Sequence, residues 1–261
     1  MYLFTIFRRE LQNYFASPIA YVVAGIFWLT AGAYIVGMLL GEQGLIQQIA
    51  FSDQNGLLVQ SIDVAYIFLN SFFAVLGSLC LFLLPILSMG LYATEKRRDT
   101  LEIIETSPIF NWLVATGKLL GAIAFFMFMV APLLLYEAII FSTAKPPIPA
   151  AVPLLAHCGL ILLATAILSI GIFISSLTDN SIVAVILTFA VVLLLWIIDI
   201  LSQNTEGIFS DVLKHLSLLE SYNNLIQGIF QLSDVVLLLS YIFLGMFLTV
   251  QSIEIWGFTR K

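Results

Sequence analysis

Six long apolar runs, at about 19–40, 64–91, 119–141, 154–177, 182–201 and 235–258, constrain this chain more than any other feature. A helix of roughly 20 residues crosses a hydrocarbon core about 30 Å thick. Inside lipid every backbone amide must find an internal partner, which leaves helices and closed barrels. A barrel would show alternating strands of about ten residues, whereas these runs are continuous. Of the 261 residues 61% are hydrophobic and 10% are charged, against about 25% charged in a soluble domain. The expected fold is therefore an all-α integral membrane protein with six transmembrane helices, forming one domain over residues 1–261. No internal repeat or low-complexity segment divides it. The net charge of −6 comes without a basic, aromatic-laced groove pattern, which argues against nucleic-acid binding. Cys80 and Cys158 sit within apolar runs; they make no metal or redox motif and read as small packing residues.

Residues 1–17 precede the first span. Phe4, Phe7, Leu11 and Phe15 recur at helical spacing, and Arg8, Arg9, Glu10 and Gln12 fall on another face. Such a helix is expected to lie in the membrane interface with its bases at the headgroups. Ser17-Pro18 ends it, because the residue before proline avoids helical geometry, and Pro18 suits the first position of the next helix. The apolar run that follows is longer than the roughly 7–15 residues of a signal-peptide core. With six spans both ends lie on one side. Eight of the ten Lys and Arg then share that side: Arg8, Arg9, Lys96, Arg97, Arg98, Lys118, Arg260 and Lys261, against Lys145 and Lys214 opposite. The positive-inside rule puts the richer side, and both termini, in the cytoplasm of a multi-pass inner or plasma membrane protein. Pro85 and Pro132 lie inside the second and third spans and are expected to perturb them.

The stretch 92–118, between the second and third spans, is the most basic and polar of the chain. Glu95 and Asp99 would repel each other at i,i+4 in one continuous helix. Asp99 is better placed as an N-cap with Glu102 three residues on, which predicts a short helix over 100–106. Leu101 and Ile104 share one face of it. Ser107-Pro108 ends it and starts a second helix, which leads through Trp112 and Gly117-Lys118 into the third span. The result is a helical elbow; an ordinary positive-inside loop is the plainer reading of the same spacing.

The residues E-K-R-R-D-T-L-E-I-I-E-T-S-P, followed by Trp112 and by Gly117-Lys118, resemble the cytoplasmic loop of ABC-2-type transporter permeases. There the pattern is approximately E-[KR]-x-x-G-T-x-E-x-[IL]-x-x-[ST]-P, then W, then G-K. Asp99 stands where glycine is common and still suits a cap. F-R-R-E-L-Q-N-Y-F-A-S-P-I-A-Y-V, at the amino end, and the segment running from I-Q-G-I-F-Q-L-S-D to V-Q-S-I-E, at the carboxyl end, are similar to the gliding-motility-associated branch of these permeases. The resemblance implies an ABC-2 exporter-type fold with an interfacial helix at the amino end, a coupling helix between spans two and three, and short outer helices between spans five and six. It also implies a dimer, homomeric or heteromeric, with two separate ABC ATPase subunits docked from the cytoplasm. Carried over by position, Glu95, Arg97, Asp99, Thr100, Leu101, Glu102, Thr106, Ser107 and Pro108 would make or shape the ATPase contact. Arg8, Arg9 and Glu10 would belong to the interfacial helix.

No nucleotide-binding domain is expected in this chain. A phosphate-cradling P-loop needs G-x-x-x-x-G-K-[ST]; before Gly117-Lys118 the earlier glycine is replaced by Trp112, and Leu119 follows. ATP and Mg would sit on the partner ATPase, and the chain itself would be a non-enzymatic permease subunit, exporting a hydrophobic or amphiphilic substrate. A subunit that only transmits ATPase motion to an outer partner is the alternative. An ATP-independent carrier fits less well, since such proteins place polar groups at mid-membrane. Glu137 and Asp199, near the outer ends of the third and fifth spans, are candidate pathway residues, because an acidic group in a span usually faces the interior or a wet cavity; a solvated boundary position is the other reading. The stripe Leu213, Leu216, Leu219, Leu225 and Ile229 predicts a partly apolar outer helix, which by its spacing could lie on the bilayer; the resemblance implies that it caps the pathway as an outer gate. His157 and His215 are too far apart in sequence to form a ligand motif and read as structural.

Overall fold

The computed structural model describes residues 2–41, 44, 47, 64–98, 100, 110–143, 149–204 and 216–259. Every regular element among them is an α-helix: α1 (Tyr2–Ala16), α2 (Pro18–Leu40), α3 (Val64–Ser88), α4 (Gly90–Arg97), α5 (Asn111–Thr143), α6 (Ala151–Leu177), α7 (Ser181–Asn204), α8 (Leu218–Ile226) and α9 (Leu232–Thr259). Six stretches are long and apolar enough to cross a membrane: α2, α3 running on into α4, α5, α6, α7 and α9. They coincide with the six apolar runs of the sequence.

α6 is the central helix. It packs against α3, α4, α5, α7, α8 and α9, and 72% of its most apolar window is buried, against 17% for α7. In a bilayer, lipid tails are as apolar as leucine, so helices associate through close packing and polar contacts rather than through a hydrophobic force. The core shows that packing in its aromatic rings: Phe68, Phe72 and Phe73 of α3 and Phe125 and Phe126 of α5 are fully buried. Phe68 stacks on Phe72 at 5.4 Å, and Phe72 meets Phe73 edge-on at 6.0 Å.

The prolines act differently from one another. Pro85 lies one turn before the joint at Met89, where α3 gives way to α4, and Ser88 Oγ donates to its carbonyl at 3.1 Å. Pro132 leaves α5 continuous; one turn earlier the indole of Trp28 donates to the Met129 carbonyl at 2.7 Å and ties α2 to α5.

α1 is a separate helix before the first span, and its polar face is not wholly outward. Its packed face carries Glu10 and Tyr14, whereas Tyr2, Phe4 and Phe15 are exposed. Of its charged residues Glu10 is turned inward, onto α5, while Arg8 and Arg9 are exposed.

Candidate functional site

Two glycines let α1 lie directly on α5. A Cβ at Gly117 would stand 2.7 Å from Cγ2 of Ile6, and one at Gly121 would stand 2.7 Å from Cβ of Glu10. The pair forms a G-x-x-x-G groove, the spacing that allows membrane helices to approach closely. This approach carries the Glu10 carboxylate to Lys118, which lies between the two glycines.

Lys118 is only 1% exposed. Its ammonium has three hydrogens and meets three oxygens: Leu91 O at 2.7 Å, Glu95 Oε1 at 2.9 Å and Glu10 Oε1 at 3.1 Å. The Tyr92 ring lies 4.9 Å away, a cation–π contact worth about 0.5–2 kcal/mol. Arg9 completes the cluster: it pairs with Glu95 Oε1 and lies 3.5 Å from Glu10 Oε1. Two cations thus balance two carboxylates. Burying a charge is tolerated only when it is paired and hydrogen-bonded, and Lys118 has both. Beside the cluster the Tyr14 hydroxyl donates to Leu87 O at 2.9 Å. Burial, with the Glu10 carboxylate adding to it, pushes this phenol far above its ordinary range, so it remains a donor.

α4 is held from its other side by the end of α6. Ser175 Oγ donates to Met89 O at 2.8 Å and accepts the amides of Tyr92 at 3.1 Å and Ala93 at 3.0 Å. One hydroxyl therefore bridges the α3–α4 joint and satisfies two first-turn amides that a helix leaves unpaired. Lys96 Nζ donates to Ser176 O and sits 5.1 Å over the Trp256 ring of α9. The helix ends at Arg97, as the Glu95–Asp99 repulsion predicts; the amide of Thr100 returns to Glu95 O at 3.1 Å. α1, α4, α5, the end of α6 and α9 thus form one charged, cross-braced unit immediately before the segment 101–109.

The opposite end carries the other acidic candidates, both buried, so the solvated-boundary reading fails for each. Glu137 lies 3.5 Å from His157 Nε2, and His157 Nδ1 is 2.8 Å from Pro153 O. Asp199 accepts from Ser217 Oγ, and Ser217 in turn caps α8 by accepting the Glu220 amide at 3.0 Å. α8 is built into the bundle instead of lying on its surface. Leu218, Tyr222, Leu225 and Ile226 are buried, Tyr222 Oη donates to Phe73 O at 2.6 Å, and its ring occupies the space a side chain at Gly77 would need. A crevice of about 220 Å³ between α3, α7 and α8 is lined by Gly77, Ser78, Trp196, Asp199 and Tyr222.

The structure brings Arg9, Glu10 and Glu95 together, joins to them Lys118, and leaves Arg8 and Arg97 pointing outward as exposed residues. Thr100 is exposed and non-helical; Asp99, Leu101, Glu102, Thr106, Ser107, Pro108 and the rest of the expected short helix, 101–106, lie outside the described residues, as does His215. The helix leading into the third span begins at Asn111, with Phe110 non-helical, rather than at Pro108. Glu137 and Asp199 do not meet; each has its own partner. Cys80 is packed in the core as expected, whereas Cys158 is exposed on α6. Sequence reading missed Lys118 as the centre of the cluster and Ser175 as the clamp on α4. The G-x-x-x-G spacing of Gly117 and Gly121 is a legible signal for the first; a single serine in an apolar span gives none for the second.

Among the described residues no group of His, Cys, Asp and Glu could hold a metal ion. No family model matches the chain, and no curated protein matches it at a significant level. What the arrangement can do is mechanical: neutral as a set and saturated at its central ammonium, it fixes α1, α4 and α5 to one another.

Proposed function

We propose that this chain is the permease subunit of an ATP-binding-cassette transporter of ABC-2 type, exporting a hydrophobic or amphiphilic substrate. The nucleotide chemistry belongs to a separate ATPase subunit, docked at the end of the bundle that carries the charge cluster. The observation that carries this reading is the bracing of α4 and α5. These helices flank the segment that resembles a coupling helix, and the Glu10–Lys118–Glu95 cluster on one side and Ser175 on the other tie both flanks to the bundle. A push on that segment would be transmitted to α3, α5 and α6 rather than absorbed by a loose loop. Any such movement needs contacts that differ between two states, and the cluster offers discrete polar contacts able to exchange partners. The six apolar spans and the gathering of Arg8, Arg9, Lys96, Arg97, Arg98 and Lys118 at one end support a cytoplasmic position for that end.

The test is docking. Leu101→Asp combined with Glu102→Lys is expected to abolish co-purification of an ABC ATPase subunit with this chain, while insertion into the membrane is unchanged. Retention of the ATPase by the double variant would remove the segment as the docking element.

A further inference from the structure

A cavity of about 840 Å³ opens beside the charge cluster, between the end of α1, the first turn of α2 and the α3–α4 joint. Its size falls within the roughly 300–1,000 Å³ of small-molecule sites. Its wall is graded. Ile19 and Ala20 of α2 and Ile86 and Leu87 of α3 form an apolar part, whereas Asn13, Thr94, Arg98 and Arg9 form a polar part. Apolar side chains of α1 and α2 beside it, Phe15 and Ile19, are exposed on the bundle surface, so the cavity borders the bilayer where the spans end.

Among the described residues the charge lining the cavity is not balanced. Three cations line it, Arg9, Arg98 and Lys118, against two carboxylates, Glu10 and Glu95. Lys118 is saturated, and Arg9 is committed to Glu95. Arg98 is exposed and forms no ion pair among the described residues. Among the described residues that line the cavity the excess positive charge therefore falls on the exposed Arg98, and apolar side chains of α2 and α3 share the same cavity. Basic pockets between membrane helices at the interface take anionic lipid headgroups, and the apolar wall adds a place for an acyl chain.

We infer that this cavity is a binding site for one anionic phospholipid, its phosphate at Arg98 with Arg9 beside it and the start of an acyl chain against Ile19, Ile86 and Leu87. The inference stands on the membrane-spanning architecture and does not depend on the transport proposal. A bound lipid would wedge the α1–α2 corner against α4 and so add a lipid-dependent contact to the braced unit.

Native mass spectrometry of the delipidated full chain, titrated with phosphatidylglycerol, phosphatidylcholine or glycerol 3-phosphate, tests it. One phosphatidylglycerol is expected to be retained in preference to phosphatidylcholine. Arg98→Gln, at an exposed position, is expected to weaken that binding roughly fivefold, the effect of one cation near a membrane surface. Asn13→Trp, also at an exposed position, fills the cavity and is expected to abolish it. Equal retention of both lipids, or phosphatidylglycerol binding unchanged in both variants, overturns the assignment. Displacement of the lipid by glycerol 3-phosphate at comparable concentration also overturns it, in favour of a soluble organic phosphate.

Discussion

Lys118 shows why a charge is kept inside an apolar bundle. Replacing a whole buried ion cluster by well-packed apolar residues is often neutral or stabilising, whereas removing one member strands the others. The Glu10–Lys118–Glu95 arrangement is thus better understood as specifying one seating of α1 and α4 on α5 than as a source of net stability. Lys118→Met would leave Glu10 and Glu95 buried with only the partly exposed Arg9 for company. It is expected to lower stability by about 3–5 kcal/mol, measured as a shift in detergent unfolding. Adding Glu10→Gln to Lys118→Met should recover part of the loss. Equal stability of Lys118→Met and the parent would mean that water already reaches these carboxylates.

At the scale of elements, α4 is short, only eight residues, and an isolated helix of that length is unstable in water. It persists because both its faces are tied, one by Lys118 and the other by Ser175 and Ser176. Ser175→Ala removes the donor to Met89 O and the acceptor for Tyr92 and Ala93. Buried backbone groups left without partners cost about 1–3 kcal/mol. The expected outcome is faster amide hydrogen exchange confined to α4 and the α3–α4 joint, with α8 and α9 unchanged. Exchange unaffected in α4 would show that the α1 and α5 contacts hold it unaided. α8 obeys the same logic at the other end: nine residues are held by a serine cap, the Tyr222 hydrogen bond and the space left at Gly77.

The whole molecule is polarised. One end gathers all the described Lys and Arg together with α1, α4 and the start of α5; the other holds α8 and the buried Glu137 and Asp199. The positive-inside rule predicts that the basic end faces the cytoplasm. Cysteine placed at exposed Arg97 should react with an impermeant maleimide only after the cytoplasmic face is opened, whereas cysteine at exposed Ile229 should react in intact cells; Cys158, itself exposed on α6, would first be replaced by alanine. Labelling of both from the same side would be incompatible with six spans, and labelling with the sides exchanged would invert the axis and move any ATPase-docking surface to the wrong compartment.

The number and placement of the spans were legible in the sequence because hydrocarbon admits so few backbone solutions: an uncharged run of about 20 residues is nearly forced to be helical. The end of α4 before Asp99 was legible for a similarly local reason, like charges one turn apart. What lay beyond the sequence were the partners of each polar side chain. Glu10 reads as the polar face of a surface helix until the approach of α1 to Gly117 and Gly121 turns it inward. Ser175 looks like any small residue in a span until three backbone groups of α4 converge on it. Glu137 and Asp199 sit near span ends by residue count, and only the packing of α6 and α8 over them decides that they are buried. Periodicity reports which residues share a face of one helix; which face meets which neighbour is set by close packing between helices, and that was decided in three dimensions.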